Sequence, residues 1–210
     1  INATAITGGG MTLTGSAGVD TITGTAGVDI IAGGGGADTI TGGEGSDNIT
    51  GGAGLDTYIA LTDVASANGI DIITMDTVDG TAIAGDIFNF TASAAFIGTT
   101  TEDIIIVSDS DVEAGNNAFG SAGDNIIILT GDFVANAGAL SALTFDGFGG
   151  FDAGQALVIY SSSAGADARI AVVDIAAAGD ISGAVDMITL VGLTVAEAAS
   201  GFDANDFVLD

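Results

Sequence analysis

The sequence predicts an all-β chain, with a parallel β-roll over residues 1–75 and a β-rich region with one or two short helices over residues 76–210. Two observations support this prediction. Five consecutive nine-residue units fill residues 15–59, and short apolar segments of strand length recur after residue 76. Regular glycine-rich turns between short strands are typical of stacked coils, whereas bounded runs of β-branched residues are typical of packed sheets.

The nine-residue repeat has a strict pattern. Its units are GSAGVDTIT (15–23), GTAGVDIIA (24–32), GGGGADTIT (33–41), GGEGSDNIT (42–50) and GGAGLDTYI (51–59). Each unit has Gly at its first and fourth positions, Asp at its sixth and a large apolar residue at its eighth. Glycine permits a tight six-residue turn, and the eighth side chain points inward from a three-residue strand. Two units therefore form one coil of eighteen residues.

The repeats continue in weaker form on both sides. After an insertion, SANGIDIIT (66–74) keeps Gly69, Asp71 and Ile73 in register as a sixth unit. Upstream, GGGMTLT (8–14) is a degenerate unit in which Met11 replaces the aspartate. The roll is therefore predicted to extend beyond the five regular units.

Six short segments predict strands in the second region, and two segments predict helices. The strands are IFNF (87–90), DIIIV (103–107), NIIIL (125–129), ALVIY (156–160), RIAVV (169–173) and MITLV (187–191). The Ala- and Leu-rich stretch 133–143 predicts one helix. A second is predicted over 195–199, where Thr194 and Glu197 form a capping box ahead of Gly201.

Charge excludes several classes of function. The chain has 28 acidic residues, no Lys, no His and a single Arg, for a net charge of -27. Nucleic acids and anionic lipids are bound through basic residues, so neither is expected as a partner. The absence of Cys and His removes the usual zinc ligands and the bases of Ser or Cys nucleophiles. No catalytic residue or organic cofactor site is predicted, and the run of four glycines at 33–36 lacks the Lys of a phosphate loop.

The acids themselves indicate a metal. Asp outnumbers Glu in this sequence, and short carboxylates favour turns and metal sites. The nonapeptide GGxGxDxUx is the calcium-binding repeat of RTX proteins, and these units closely resemble it. Calcium takes six to eight oxygen ligands, and the sixth-position Asp is the anionic one. The predicted ligands are Asp20, Asp29, Asp38, Asp47, Asp56 and Asp71.

In an RTX solenoid of eighteen-residue coils, alternate units lie on the same edge. This stacking pairs Asp20 with Asp38, Asp38 with Asp56, Asp29 with Asp47, and Asp47 with Asp71, which predicts about four Ca²⁺ ions. The resemblance also implies that turn carbonyls are ligands, at Gly15, Gly18, Gly24, Gly27, Gly33, Gly36, Gly42, Gly45, Gly51 and Gly54. The departures from the family pattern are Ser16 and Thr25 at the second position, and residues 66–68 in the sixth unit.

A further acidic segment has two interpretations. Asp109, Asp111 and Glu113 alternate like the start of an EF-hand loop, but Ala114 and Gly120 stand at the positions that need Gly and Glu. Either an additional calcium site or a solvated turn fits this pattern, and the departures favour the turn.

The resemblance implies export and an extracellular role. The ending VGLTVAEAASGFDANDFVLD looks like the C-terminal signal of type I secreted proteins. The start INATAITGGG has neither a charged n-region nor an apolar h-region, so we expect no cleavable signal there. No apolar run is long enough for a membrane span. Because Ile1 is not an initiator Met and the repeats begin close to it, we expect the C-terminal part of a longer protein or a processed chain. The leading hypothesis is a calcium-dependent, self-assembling surface-layer or matrix protein. The alternatives are the secretion and folding module of a larger protease or lipase, and part of an adhesin.

Overall fold

In the computed structural model, the secondary structure is predominantly strand. The described residues are 9–61, 69–75, 85–91, 104–108, 126–133, 137–140, 154–163, 165–175, 181–202 and 206–209. Two compact units are present: unit 1 contains 1–93, 187–193 and 201–210, and unit 2 contains 94–186 and 194–200. Unit 1 thus includes residues well beyond position 75. The predicted all-β class, with a parallel roll and two short helices, is confirmed.

Unit 1 contains two parallel sheets built from alternate strands. Sheet I has the order β14-β8-β6-β4-β2, with β2 at Thr21–Thr23, β4 at Thr39–Thr41, β6 at Thr57–Leu61, β8 at Ile87–Thr91 and β14 at Phe207–Leu209. Sheet II has the order β1-β3-β5-β7-β13 within this unit, with β1 at Thr12–Thr14, β3 at Ile30–Gly35, β5 at Asn48–Ala53 and β7 at Asp71–Thr74. The last strand, β13, spans Ile181–Thr194 and pairs with β7 through its residues 188–191.

The core of unit 1 is a ladder of eighth-position residues. In sheet I, Ile22 pairs with Ile40 and Ile40 with Tyr58, in the register that an eighteen-residue coil requires. All of these side chains are buried because strand alternation turns the middle residue inward. The full columns are Ile22, Ile40, Tyr58, Phe88 and Phe207 in sheet I, and Leu13, Ile31, Ile49, Ile73 and Leu190 in sheet II.

Strand β14 was missed by the sequence-based prediction. It pairs in parallel with β8, aligning Phe207 with Phe88 at a ring-centroid distance of 5.9 Å. Phe202 packs edge-on against both rings, at 5.8 Å from Phe88 and 5.0 Å from Phe207. A three-residue strand has too little alternation to be recognised, and its partner is far away in the sequence. The C-terminal segment thus adds a final strand to sheet I.

Unit 2 contains β9 at Ile104–Ser108, β10 at Ile126–Phe133, β11 at Gly154–Ser161 and β12 at Asp167–Ile175. Strands β9, β10 and β11 pair in parallel, whereas β11 and β12 are antiparallel. Residues 181–186 of β13 also belong to this unit. Its buried cluster consists of Ile127, Leu129, Ala137, Leu140, Ala156, Val158, Tyr160, Ala171 and Val173. The six predicted strands of the second region are all present, with bounds longer than or shifted from those predicted.

The two helices are short. Helix α1 spans Ala137–Leu140, and residues 134–136 and 141–143 of its predicted range lie outside the described residues. The prediction was wrong at Phe133, which extends β10 because it pairs with Ser161 of β11. Helix α2 spans Val195–Gly201. Its capping box is confirmed, since Thr194 N donates to Glu197 Oε2 at 2.8 Å and Glu197 N to Thr194 Oγ1 at 3.3 Å.

The single cation of the chain lies in unit 2. The Nη1 atom of Arg169 is 3.9 Å from Oδ2 of Asp186, so this Arg pairs with a carboxylate. The Tyr160 hydroxyl donates to Oδ1 of the same carboxylate. Burial, followed by this hydrogen bond, raises the pKa of Tyr160. Asp186 is therefore held by an aromatic hydroxyl and a guanidinium.

Truncation of the core ladder should cost stability. Ile40 is 1% exposed, so Ile40→Ala is expected to lower the free energy of unfolding by about 2–5 kcal/mol, because it removes buried methyl groups and leaves a cavity. Denaturant unfolding in excess calcium measures the change. Thr50→Ala, at an exposed position, is the control and should change stability by about 0.5 kcal/mol or less. Equal effects of the two substitutions would contradict this account of the core.

Candidate metal sites

Each edge of the roll carries a column of stacked aspartates. The backbone N–H of each Asp donates to Oδ1 of the Asp one coil further on. The distances are 2.8 Å from Asp20 to Asp38, 2.8 Å from Asp29 to Asp47, 2.9 Å from Asp38 to Asp56, and 2.9 Å from Asp47 to Asp71. The structure therefore brings together the four aspartate pairs predicted from the sequence.

Asp86 is an additional member that the sequence reasoning missed. Its Oδ1 accepts a hydrogen bond from Asp56 N at 2.9 Å, with the same geometry as the other pairs. Asp86 stands two residues before the buried Phe88, as every sixth-position Asp stands two residues before its eighth-position core residue. That spacing was a usable signal, but the segment before it lacks the glycine pattern. At the other end, Met11 N donates to Asp29 Oδ1 at 2.6 Å, so the degenerate unit joins the same column.

The second oxygen of these carboxylates is oriented toward the turn of its own unit. A Cβ atom added to Gly33 would collide with both Asp38 Oδ2 and the carbonyl oxygen of Gly51. The same space exists at Gly15, where the neighbours are Asp20 and Gly33 O, and at Gly24, where they are Asp29 and Gly42 O. The first-position glycine therefore leaves room for a carboxylate oxygen of one coil and a carbonyl oxygen of the next to converge.

The fourth-position glycines have a different role. Gly36, Gly45 and Gly54 have φ angles of 102°, 108° and 135°, a left-handed region that other residues rarely adopt. A Cβ at Gly36 would lie 2.8 Å from the carbonyl carbon of Gly18, and one at Gly45 would lie 3.0 Å from that of Gly27. These glycines thus allow the turns of successive coils to stack in close contact.

The buried carboxylates fit a bound cation. Asp38 and Asp47 are 1% and 0% exposed, and the Oδ2 atom of each is buried without a hydrogen-bond partner. A buried, unpaired carboxylate oxygen is costly unless a cation or a donor compensates it. No three acidic side chains gather at one point within the described segments, so backbone carbonyls would have to complete a coordination shell. Carboxylate and carbonyl oxygens are the ligands that calcium prefers, and a bound ion would neutralise the stacked charges.

Two aspartates on one edge have raised pKa values. Burial raises the pKa of Asp47 to about 6 and that of Asp71 to about 7, against the effect of the backbone hydrogen bond that each accepts. Repulsion from the neighbouring carboxylate of the same column adds to each rise. Without a cation, Asp47 and Asp71 therefore bind a proton at a higher pH than an ordinary Asp.

Comparison with known families agrees with this geometry. The family model described as the RTX calcium-binding nonapeptide repeat (4 copies) matches residues 6–40 and 23–58. Residues 6–58 are therefore RTX repeats, the class of calcium-binding modules found in proteins that are typically secreted through type I machinery. No curated protein and no solved structure matches the chain. Within the described part of the chain, no helix has the length and apolar character needed to cross a membrane.

Several predicted residues lie outside the described part of the chain. They include Ser66, Ala67 and Asn68 of the sixth unit, and the acidic segment 109–113. The choice between a calcium site and a solvated turn at 109–113 therefore stays open.

The metal-free roll should become more stable as the pH falls. The folded pKa values of Asp47 and Asp71 lie above the value of 3.8 expected for an unfolded Asp, so the folded state binds more protons between about pH 4 and 7. In a chelator, the far-UV β signal should therefore be larger at pH 5 than at pH 8. In excess calcium the order should reverse, because protons compete with the ion. The double variant Asp47→Asn/Asp71→Asn should lose the pH dependence in the chelator, and its persistence there would contradict the assignment.

Substitution of Asp86 should weaken calcium-dependent folding. Asp86→Ala removes the oxygen that accepts from Asp56 N and one carboxylate of the last stacked pair in that column. The midpoint calcium concentration for folding, followed by circular dichroism, should rise severalfold. Asp174→Ala, at an exposed carboxylate in unit 2, serves as the control. If Asp86→Ala and the wild type had the same midpoint calcium concentration, Asp86 would not belong to the column of calcium-binding aspartates.

Proposed function

We propose that this chain is a structural subunit of a calcium-dependent extracellular surface layer or matrix, exported by type I secretion machinery and assembled from copies of itself. Calcium would fold the roll outside the cell, where its concentration suits modules with dissociation constants of about 10⁻⁴ to 10⁻³ M. Before export, mutual repulsion of the stacked carboxylates would keep the roll unfolded. The proposed ligands are Asp38, Asp47, Asp56, Asp71 and Asp86, together with the turn carbonyls beside them.

The observation that favours self-assembly is the neutrality of both sheet faces. Strand alternation turns the seventh and ninth positions of each unit outward, and none of these residues is charged. They are Thr21, Thr23, Thr39, Thr41, Thr57, Ile59, Ile87 and Asn89 in sheet I, and Thr12, Thr14, Ile30, Ala32, Asn48, Thr50, Ile72, Thr74, Thr189 and Val191 in sheet II. The charge of -27 that the chain carries is thus absent from these positions.

The distribution of acids explains why these faces suit a second copy. Within the described part of unit 1, acidic residues lie in turns or at the start of a strand. Two copies that meet through their sheet faces therefore keep their carboxylates apart, whereas any contact between edges brings like charges together unless calcium bridges them. Ile30 and Ile72 are 55% and 40% exposed on sheet II and give this face an apolar component.

The size of one face indicates many weak contacts rather than a tight dimer. Five strands spaced about 4.8 Å apart, counted as three residues each, form a face of roughly 200 Å². A stable pair buries about 800 Å² on each partner. A subunit that uses both sheet faces, with calcium between acidic edges, would be held by several weak contacts at once, as in a lattice.

The calcium dependence of folding and assembly can be tested together. In calcium, the protein should show a β spectrum in the far ultraviolet and sediment as assemblies much larger than a 20.2 kDa monomer. An excess of chelator should abolish both signals, because the stacked carboxylates then repel without compensation. A protein that stays folded and assembled in chelator, or monomeric in calcium, would contradict the proposal.

A charge placed on the neutral face separates assembly from folding. Ile30→Glu should shift the calcium-loaded protein toward monomers while leaving its β spectrum unchanged. Ala53→Glu is the matched control, since it adds the same charge at the exposed last residue of β5, whose equivalent in the preceding unit is already Glu44. Assembly by both variants to the wild-type extent would exclude this face of sheet II as the contact.

A further inference from the structure

Two of the five regular units carry a hydroxyl where the other three have a second-position glycine. In the unit 24–32, Thr25 is 4% exposed and lies against Asp29. Its N–H donates to Asp29 Oδ2 at 2.6 Å, and its Oγ1 lies 3.1 Å from both carboxylate oxygens. Oγ1 also accepts the N–H of Gly27 at 3.1 Å. Together with Met11 N, these groups supply Asp29 with donors to both oxygens.

Ser16 makes the same arrangement on the other edge. Its N–H donates to Asp20 Oδ2 at 2.6 Å, its hydroxyl donates to that oxygen at 2.8 Å, and Gly18 N donates to the hydroxyl at 3.2 Å. The hydrogen bonds from Ser16 lower the pKa of Asp20. The carboxylate is thus stabilised in its charged form by donors from its own turn.

The next coil cannot repeat this arrangement. Gly34 and Gly43 have φ angles of 114° and 112°, and a Cβ on either would collide with the carbonyl oxygen of Ser16 or Thr25 beneath it. Without a side chain at these positions, no hydroxyl can reach the aspartate of that unit. The Oδ2 atoms of Asp38 and Asp47 are accordingly buried without a hydrogen-bond partner. The Oδ2 atoms of Asp20 and Asp29 therefore have hydrogen-bond donors, whereas those of Asp38 and Asp47 have none.

We propose that the hydroxyls of Ser16 and Thr25 take the place of calcium at the first position of each edge, so that the carboxylates that require the ion begin at Asp38 and Asp47. This inference rests on the proposed calcium binding of the roll. The Ser and Thr protons occupy the lone pairs of Asp20 and Asp29 that a cation would need. Of the four predicted ion positions, the two that open the columns are then held by hydrogen bonds instead.

This arrangement has a physical consequence for folding. A coil whose carboxylates are hydrogen-bonded internally does not depend on calcium for its turns. It offers the next coil the carbonyls of Ser16 and Thr25, which accept N–H groups from Gly35 at 2.9 Å and Glu44 at 3.2 Å. The first coil is therefore a metal-independent template for the first metal-dependent one.

Counting bound ions by native mass spectrometry in calcium tests the proposal. Ser16→Gly and Thr25→Gly restore the second-position glycine and free one carboxylate each, so each variant should bind one more calcium ion than the wild type. Ser46→Gly is the matched control, because its hydroxyl accepts the N–H of Ile70 at 3.0 Å and contacts no carboxylate in the described structure. Its ion count should equal that of the wild type.

Loss of the carboxylates gives an independent measurement. Asp20→Asn should leave the ion count unchanged, whereas Asp38→Asn should lower it. An unchanged count in Ser16→Gly and Thr25→Gly, or a lowered count in Asp20→Asn, would overturn the inference while leaving calcium binding intact. Absence of bound calcium from every variant and from the wild type would instead contradict the proposed function as well.

Discussion

Carboxylates stacked one coil apart are the constraint on which the roll depends. A period of nine residues with two units to a coil places every second sixth-position Asp directly over another. At a strand spacing of about 4.8 Å, two such charges repel by about 3 kcal/mol for an effective dielectric constant near 20. One hydrogen bond from the backbone to Oδ1 at each step offsets only part of this repulsion. The remaining oxygen needs a proton, a hydroxyl or a cation.

The glycines follow from the same constraint. Carboxylate and carbonyl oxygens of neighbouring coils converge beside the first-position glycines, where any Cβ would fill the space. The coils can stack this closely only because the second- and fourth-position glycines of the later units adopt positive φ angles. The glycine pattern is therefore a requirement of oxygen convergence and coil stacking, and it leaves only one large apolar residue per unit for the core. Because so narrow a core contributes little stability, folding of the roll depends on neutralisation of the carboxylates at its edges.

In unit 2, a carboxylate is compensated by side chains of the protein itself. Its Asp186 has a guanidinium and a phenolic hydroxyl as partners, and its core is a broad cluster of aliphatic side chains. Ser16 and Thr25 show a third solution within the roll itself, in which hydroxyls and backbone N–H groups surround the carboxylate. A proton, a hydroxyl or a cation can thus each compensate a buried carboxylate. The residues next to the carboxylate decide which of them does so.

The sequence by itself determined the class of the fold, the eighteen-residue coil, the inward column of Ile22, Ile40 and Tyr58, and the stacked aspartate pairs. It could do so because these features follow from a period, and a period needs no knowledge of distant contacts. Asp86 and β14 were decided only by the tertiary structure, since insertions and long-range pairing separate them from the repeats. The different states of Asp29 and Asp38 were decided there too. Their repeat position is the same, but Thr25 brings a hydroxyl to Asp29, whereas the carbonyl oxygen of Ser16 beneath Gly34 leaves no room for a side chain that could reach Asp38.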